Sequence, residues 1–246
     1  HSSHRRQRQM CIRDRPQLVS GEVVGTFAMA ETAAAPTEQN LVVNYADGKL
    51  SGKKIAVPDA EVASHAIVVA KENNHATMCL VNLKDASVTV EKQNNIDESR
   101  GYFSIDFKNT PAEIIGDSGS GWLHAEKILN HAATLFAFEQ IGGAQETLDM
   151  ANAYAKERYA FGRPIGSFQA IKHKLADMYI ALTLAKSNSY YAAWALSTDA
   201  AELPAAAATA RVSATKAFQL CAQENIQTHG GNCLLYTSDA ADDANC

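Results

Sequence analysis

The hydrophobic and polar positions of the chain follow two different periods along its length. From Val19 to about Gly116, short apolar runs alternate with polar or glycine-containing turns. These runs are LVVNY (41–45), HAIVVA (65–70), TMCLVNL (77–83), VTVEK (88–92) and YFSIDF (102–107). Runs of this length and spacing predict β-strands that form a small antiparallel barrel or sandwich.

After Gly121 the period becomes helical, and three long helices are predicted. The first covers residues 122–158, with an apolar stripe at Ile128, Leu135, Ile141, Leu148 and Ala151. Its Gly142-Gly143 pair predicts a close approach of another backbone. The second helix begins at Phe168, and its apolar residues step by three and four, which is typical of a bundle seam. These are Phe168, Ile171, Leu175, Met178 and Leu182.

The third helix begins at Pro204 and runs to Gln227 or Thr228, where Gly230-Gly231 ends it. The pattern therefore predicts an α+β fold, in which an antiparallel β-barrel or sandwich is followed by an antiparallel bundle of long helices. We assign residues 16–116 to the β domain and residues 117–233 to the helical domain.

Both termini depart from these patterns. Residues 1–15 contain five arginines without strand or helical periodicity, and residues 234–246 interrupt the pattern before them. We therefore expect both tails to be foreign to the native fold.

Composition and charge narrow the function classes. The chain has 246 residues and a formal net charge of −5, which gives no reason to expect nucleic acid or an anionic membrane as a partner. Its five cysteines are widely spread and form no Cys-x-x-Cys pair, so we expect neither a disulfide framework nor a metal site. The cysteine pattern fits a reducing cytoplasm best, so a cytoplasmic location is expected. No apolar run reaches the ~20 residues that cross a bilayer, and no signal peptide is recognisable.

Four segments carry a specific resemblance. They are PAEIIG (111–116), EQIGGAQ (139–145), ERYAFGRPIGSFQAIKHKLADM (157–178) and IQTHGGN (226–232). In this order and helical context they resemble the acyl-CoA dehydrogenase family. The likeness covers about residues 17–232 and corresponds to the family's middle β domain and most of its C-terminal helical domain. The family's N-terminal helical domain has no counterpart in the sequence.

The resemblance implies an FAD site. Family members hold FAD between the middle and C-terminal domains, and the ADP half of one subunit's FAD reaches the C-terminal domain of its neighbour. Arg158, Phe161 and Gln169 match the positions that receive it, which fits a guanidinium, an aromatic ring and an amide near a helix start. The second matching segment is Gln227, Thr228, His229, Gly230 and Gly231.

Structural interpretations of the same residues stay open. Gly230-Gly231 is also a common helix end, Phe161 also fits a core position between helices, and His229 also fits a packing role. Lys172 and Lys174 are expected to be solvated.

The family's reaction is α,β-dehydrogenation of an acyl-CoA, with electrons passed to an electron-transfer flavoprotein. Its catalytic base is a glutamate, which in most members lies beyond the HGG segment and in others on the long helix, at the position of Ala132. Asn130 and Ala133 stand where many members carry the aspartate and arginine that meet substrate. No catalytic residue can therefore be assigned.

The middle domain also departs from the family pattern. Where many members have Thr-Glu-Pro ending in Ser, this chain has AETAAAP (30–36), with Glu31 retained, and the Trp-Ile-Thr stretch is replaced by Ala56-Val57-Pro58. Two hypotheses follow from the resemblance. The first is an FAD-dependent acyl-CoA dehydrogenase in a homo-oligomer or hetero-oligomer. The second is a catalytically deficient subunit that completes the FAD site of an active paralogue. A third, a purely structural helical scaffold, leaves residues 157–178 unexplained.

Overall fold

A computed structural model of the chain describes residues 19–97 and 99–230. Two compact units are present, one ending at Lys127 and the other beginning at Ile128. The first is built on a β-sheet and the second on long helices, so the predicted α+β fold is confirmed. The two tails that we expect to be foreign, residues 1–15 and 234–246, lie outside the described residues. The predicted domain boundaries stay a prediction.

Seven strands form the sheet of the first unit within the described residues. They are β1 (Gly25–Ala28), β2 (Asn44–Ala46), β3 (Lys49–Pro58), β4 (His65–Glu72), β5 (His75–Asn82), β6 (Val88–Lys92) and β7 (Tyr102–Ile114). Four of the five predicted runs lie in β4 to β7. The sequence does not predict β3, because its consecutive lysines interrupt the alternation of apolar and polar positions.

The run LVVNY enters β2 only at its last two residues. The backbone N–H groups of Val42 and Val43 donate instead to the carboxylate of Glu31, at 2.5 and 3.1 Å.

The strand pairings close the sheet on itself. β4 pairs with β5, β5 with β7, β7 with β3, β3 with β2, and β2 again with β4. Strand β1 adds to β4, and β6 adds to β7. Most pairs are antiparallel, as predicted, but β1 and β2 each run parallel to β4. The closed ring encloses a core of valine, leucine, isoleucine and phenylalanine side chains, including Val43, Leu50, Val57, Val68, Val81, Ile105 and Phe107.

Two of the hairpins use two-residue turns with left-handed backbone. Asp47 and Gly48 join β2 to β3 with φ values of 49° and 76°, and Asn73 and Asn74 join β4 to β5 with φ values of 47° and 70°. Positive φ at both central positions matches the twist of the flanking strands and favours Asn, Asp and Gly. Both turns therefore join neighbouring antiparallel strands directly.

Three long helices follow the strands, and the structure places them close to their predicted bounds. These are α1 (Gly121–Glu157), α2 (Gln169–Ser197) and α3 (Leu203–His229). Pro204 lies in the first turn of α3, and Gly230 ends it with a φ of 61° and an N–H that donates to the Ile226 carbonyl at 3.0 Å. Among the described residues, no helix has both the length and the apolar character that crossing a membrane demands.

The helical core consists mainly of small side chains. Ile141, Leu148, Met178 and Leu182 are buried as the periodicity predicts, together with many alanines. The prediction for Leu135 is wrong, because its side chain is 65% exposed. The prediction for Gly142-Gly143 is wrong in detail: a Cβ on Gly143 would meet the ring of Phe218, a side chain of α3, at 2.8 Å. Gly143 therefore makes room for a side chain and not for a backbone.

Candidate functional site

The residues between α1 and α2 form a short, tightly bonded linker. Two-residue strands, β8 (Tyr159–Ala160) and β9 (Arg163–Pro164), pair antiparallel. The N–H of Ile165 donates to the Arg158 carbonyl at 2.8 Å, which closes the base of the hairpin. A Cβ on Gly166 would lie 2.8 Å from the Ala155 carbonyl oxygen, so the linker passes against the end of α1. The linker is thus held in place by its own hydrogen bonds and by its close approach to α1.

The tip of this hairpin presents Phe161. Phe161 has a φ of 53° and Gly162 a φ of 78°, as in a two-residue hairpin turn with positive φ at both positions. This left-handed backbone region is unusual for a phenylalanine. The ring is 97% exposed, so the structural interpretation of Phe161 as a core residue is wrong. It contacts Phe168 edge-on, with ring centres 6.4 Å apart. An aromatic ring held out in this way is available to a ligand or a partner.

Arg158 lies where α1 ends, and its side chain is exposed. Its backbone N–H donates to the carbonyl of Tyr154, one turn earlier, at 2.8 Å. The ring of Tyr154 stacks on the imidazole of His229 with centres 4.1 Å apart. The ends of α1 and α3 therefore meet through Tyr154, which brings the two predicted segments to the same end of the helical unit.

Sequence reasoning missed Tyr154. The available signal was its position four residues before Arg158 on the same helix, which places both over one another on a helical surface.

Gln169 is the first residue of α2, and it is exposed. The residue before it, Phe168, provides no side-chain cap, and no acidic residue lies in the first turn. The first backbone N–H groups of a helix have no acceptor within the helix, so this end favours an anion. The guanidinium of Arg163, 3.9 Å from the ring centre of Phe168, adds positive charge beside it.

The end of α3 carries the second predicted segment. Gln227 is exposed, whereas Thr228 is buried and its hydroxyl donates to the Glu224 carbonyl at 2.7 Å. His229 Nδ1 lies 2.9 Å from the Asn225 carbonyl, a contact in which the ring nitrogen donates. A Cβ on Gly230 would meet nothing within 4 Å. Gly231 lies outside the described residues.

Two further contacts define this end of the bundle. Lys174 Nζ and Glu224 form an ion pair at 2.6 Å, so the expectation that Lys174 is solvated is wrong. The side-chain oxygen of Asn225 is buried without a hydrogen-bond partner among the described residues. Buried polar atoms are rarely left unpaired, so this atom marks a place where a further donor would be favourable.

In the β unit, the retained Glu31 serves the protein itself. Lys54 is fully buried, and its Nζ donates to Glu31 at 2.6 Å and to the Met29 carbonyl at 3.0 Å. Desolvation lowers the pKa of Lys54, although the hydrogen bond and charge of Glu31 oppose the shift. With the two N–H groups of residues 42 and 43 also bound to Glu31, the carboxylate ties the 30–43 segment to β3.

The long helix offers no carboxylate at the positions that the resemblance singles out. Asn130, Ala132 and Ala133 are partly buried, and the Asn130 carbonyl accepts a hydrogen bond from the Thr134 hydroxyl at 3.0 Å. A general base must be able to take up a proton, which these side chains do not do at neutral pH.

Comparisons with known proteins identify similar sequences and similar folds. Residues 119–242 match the model of the acyl-CoA dehydrogenase C-terminal domain. Acyl-CoA dehydrogenase IpdE2 of Mycobacterium tuberculosis (strain ATCC 25618 / H37Rv) is 33% identical over 228 residues, which cover 90% of this chain and 64% of that protein.

Two solved structures are similar in fold. The Tcur3481-Tcur3483 steroid ACAD G363A variant has a TM-score of 0.77 and 28% identity over 93% of this chain and 61% of its own. PigA with FAD and proline has a TM-score of 0.86 and 23% identity over 92% of this chain and 62% of its own.

This chain spans less than two-thirds of the length of each of these proteins. The family model covers half of the sequence and includes both segments that meet at Tyr154. The chain belongs to the acyl-CoA dehydrogenase family.

Proposed function

We propose that this chain is part of an FAD-dependent acyl-CoA dehydrogenase that acts on a CoA thioester and passes electrons to an electron-transfer flavoprotein. The observation that carries the proposal is the junction at Tyr154, where the Arg158 linker and the end of α3 come together. When bound, FAD supplies the hydride acceptor for the reaction.

The residues at this junction fit the ADP half of FAD. Arg158 offers a guanidinium fork for pyrophosphate oxygens, and the start of α2 offers free N–H groups beside the Gln169 amide. Phe161 offers an exposed ring for an adenine or ribose face, and Gly230 lets a ligand approach the backbone. Thr228 fits less well, because its side chain is buried and its hydroxyl is already bonded.

The proposed ligand is the FAD of a neighbouring subunit, which is either a second copy of this chain or another family member. The contribution of this chain is to bind and orient. Arg158 and Gln169 hold the phosphates, and the rigid linker fixes their positions.

The test is an FAD titration of the assembly produced from the intact gene, comparing wild type with Arg158→Ala. A charge-assisted hydrogen bond contributes roughly 1.5 to 3 kcal/mol, so the affinity for FAD should fall about ten- to a hundredfold. Lys216→Ala, an exposed cation on α3, is the matched control and should leave affinity unchanged. Unchanged FAD retention with unchanged thermal stability in Arg158→Ala would refute the proposal.

A second candidate is a catalytically deficient subunit that completes the FAD site of an active paralogue. The uncharged residues Asn130, Ala132 and Ala133 favour it, because the long helix provides no base. In the β unit, the Glu31 carboxylate is taken up by Lys54 and backbone N–H groups.

The two candidates differ in what the chain does alone. The discriminating measurement is stopped-flow flavin reduction by a panel of acyl-CoAs, made on the intact gene product with and without a co-expressed paralogue. Loss of a positioned general base typically slows the reaction ~10²- to 10⁴-fold, so the deficient subunit should be slow by itself and fast in the mixture. Rapid reduction by the protein alone would eliminate this second candidate.

A further inference from the structure

An open pocket of about 450 Å³ lies between the end of α1 and the beginning of α2. Asn152 and Lys156 line it from α1, Lys172 and Leu175 line it from α2, and the Pro164–Ser167 segment of the linker closes one side. This volume falls within the range of small-molecule sites. Arg158, Phe161 and Gln169 are not among the lining residues, so the pocket is distinct from the proposed FAD contacts.

The pocket concentrates positive charge that the protein does not neutralise. Lys156 and Lys172 make no ion pair within residues 19–97 and 99–230, and no acidic side chain lines the pocket in that part of the chain. Two residues after Lys172, Lys174 is paired with Glu224 at 2.6 Å. Lys156 and Lys172 both line the pocket, so an anion bound there would be attracted to two cationic side chains.

The remaining lining residues narrow the chemistry of the ligand. The carboxamide of Asn152 has no partner among the described residues and can donate to an anion. The Ser167 hydroxyl donates to the Pro164 carbonyl at 2.7 Å, which leaves its oxygen as an acceptor. Ala155 and Leu175 provide an apolar wall. Lysine ammonium groups bind phosphate as point charges, and no guanidinium fork for a planar carboxylate lines the described pocket.

We propose that this pocket binds a small phosphate monoester with a compact apolar body. The two ammonium groups and the Asn152 amide hold the phosphate, and Leu175 and Ala155 contact the apolar part. This site is independent of the proposed FAD contacts, because no residue is shared between the two.

The test uses phenyl phosphate as the probe, titrated calorimetrically into the full chain in a chloride buffer without phosphate. Binding should be saturable and should weaken with added salt. Lys156→Gln and Lys172→Gln should each lower the affinity about two- to fivefold, the range expected for exposed charge pairs, and the double variant should lower it further. Lys216→Gln, the exposed control on α3, should bind as wild type does.

Three further arms make the result decisive. Phenol, which has the same ring without the charge, should not bind, and inorganic phosphate should bind more weakly than phenyl phosphate. Arg158→Ala should keep its affinity for phenyl phosphate. Equal affinity in all lysine variants, binding of phenol, or loss of binding in Arg158→Ala would each overturn the proposal. FAD titrations of the same variants distinguish the two sites, because only Arg158→Ala should lower the affinity for FAD.

Discussion

The buried ion pair of the β unit gives the sharpest prediction about stability. Lys54 is fully buried, and Glu31 is nearly so, with side-chain exposures of 0% and 8%. Removing one partner of a buried pair leaves an uncompensated charge, which typically costs about 3 to 5 kcal/mol. Glu31→Gln also replaces one of the two oxygens that accept from the Val42 and Val43 N–H groups, but these contacts are exposed and half-buried, so the unpaired Lys54 charge sets the expected loss.

We therefore expect Glu31→Gln to lower the free energy of unfolding by about 3 to 5 kcal/mol. Lys54→Met should cost less, because the Glu31 carboxylate keeps its two backbone donors. The double variant should lose less free energy of unfolding than the two single variants lose together, because no unpaired charge remains.

The assay is urea unfolding followed by circular dichroism. Hydrogen exchange of peptides covering residues 40–58 would show whether the loss is confined to the β unit. The matched control is Lys53→Met, at the adjacent position. Its ion pair with Glu91 spans 3.6 Å between side chains that are 52% and 65% exposed. Exposed pairs contribute about 0 to 1 kcal/mol, so this variant should behave nearly as wild type. Equal effects of Lys53→Met and Lys54→Met would refute the reasoning.

The pair also predicts a pH dependence. The pKa of Lys54 in the folded protein lies below its ordinary value of 10.5. Between these two values the unfolded chain binds more protons, so the contribution of Lys54 to the free energy of unfolding rises with pH. Lys54→Met should remove this rise, and an unchanged pH profile in that variant would contradict it.

Three further predictions concern single positions. Gly166→Ala should destabilise the helical unit by about 1 to 3 kcal/mol in thermal unfolding, because its Cβ would lie 2.8 Å from the Ala155 carbonyl oxygen. Gly142→Ala is the matched control: its Cβ would meet no atom within 4 Å, so it should stabilise the helix by about 0.5 to 1 kcal/mol. Phe161→Asn should raise thermal stability while it weakens FAD binding, because asparagine tolerates the left-handed backbone; a fall in both would contradict this. Burial raises the pKa of Cys79 from 9.0 to about 12, so its contribution to stability is complete below pH 9 and is lost as the pH rises toward 12. Alkylation of Cys79 in the folded protein, followed by mass spectrometry, should accordingly be slow at pH 9.

The sequence determined the fold class and most elements by itself. Local periodicity is set by which face of a strand or helix is buried, so β4 to β7 and the three long helices could be predicted without a structure. The two ends of α3 could also be predicted, because Pro204 favours a helix start and Gly230 a helix end through their own backbone conformations. The motif between residues 157 and 178 identified the linker and its candidate FAD residues.

Tertiary structure decided what depends on residues that are distant in the sequence. The closure of the sheet and the parallel pairing of β1 follow from strand partners, which periodicity does not specify. The burial of Lys54 could not be predicted locally, because a lysine next to another lysine is ordinarily solvated. It depends on the ion pair with Glu31, which is 23 residues away. Tyr154 and His229 meet because two helix ends converge, which no local pattern encodes. Leu135 shows the converse: it fits the apolar stripe of α1, but its side chain is exposed and lies outside the buried helical core, because a local stripe does not specify which of its positions meet another helix.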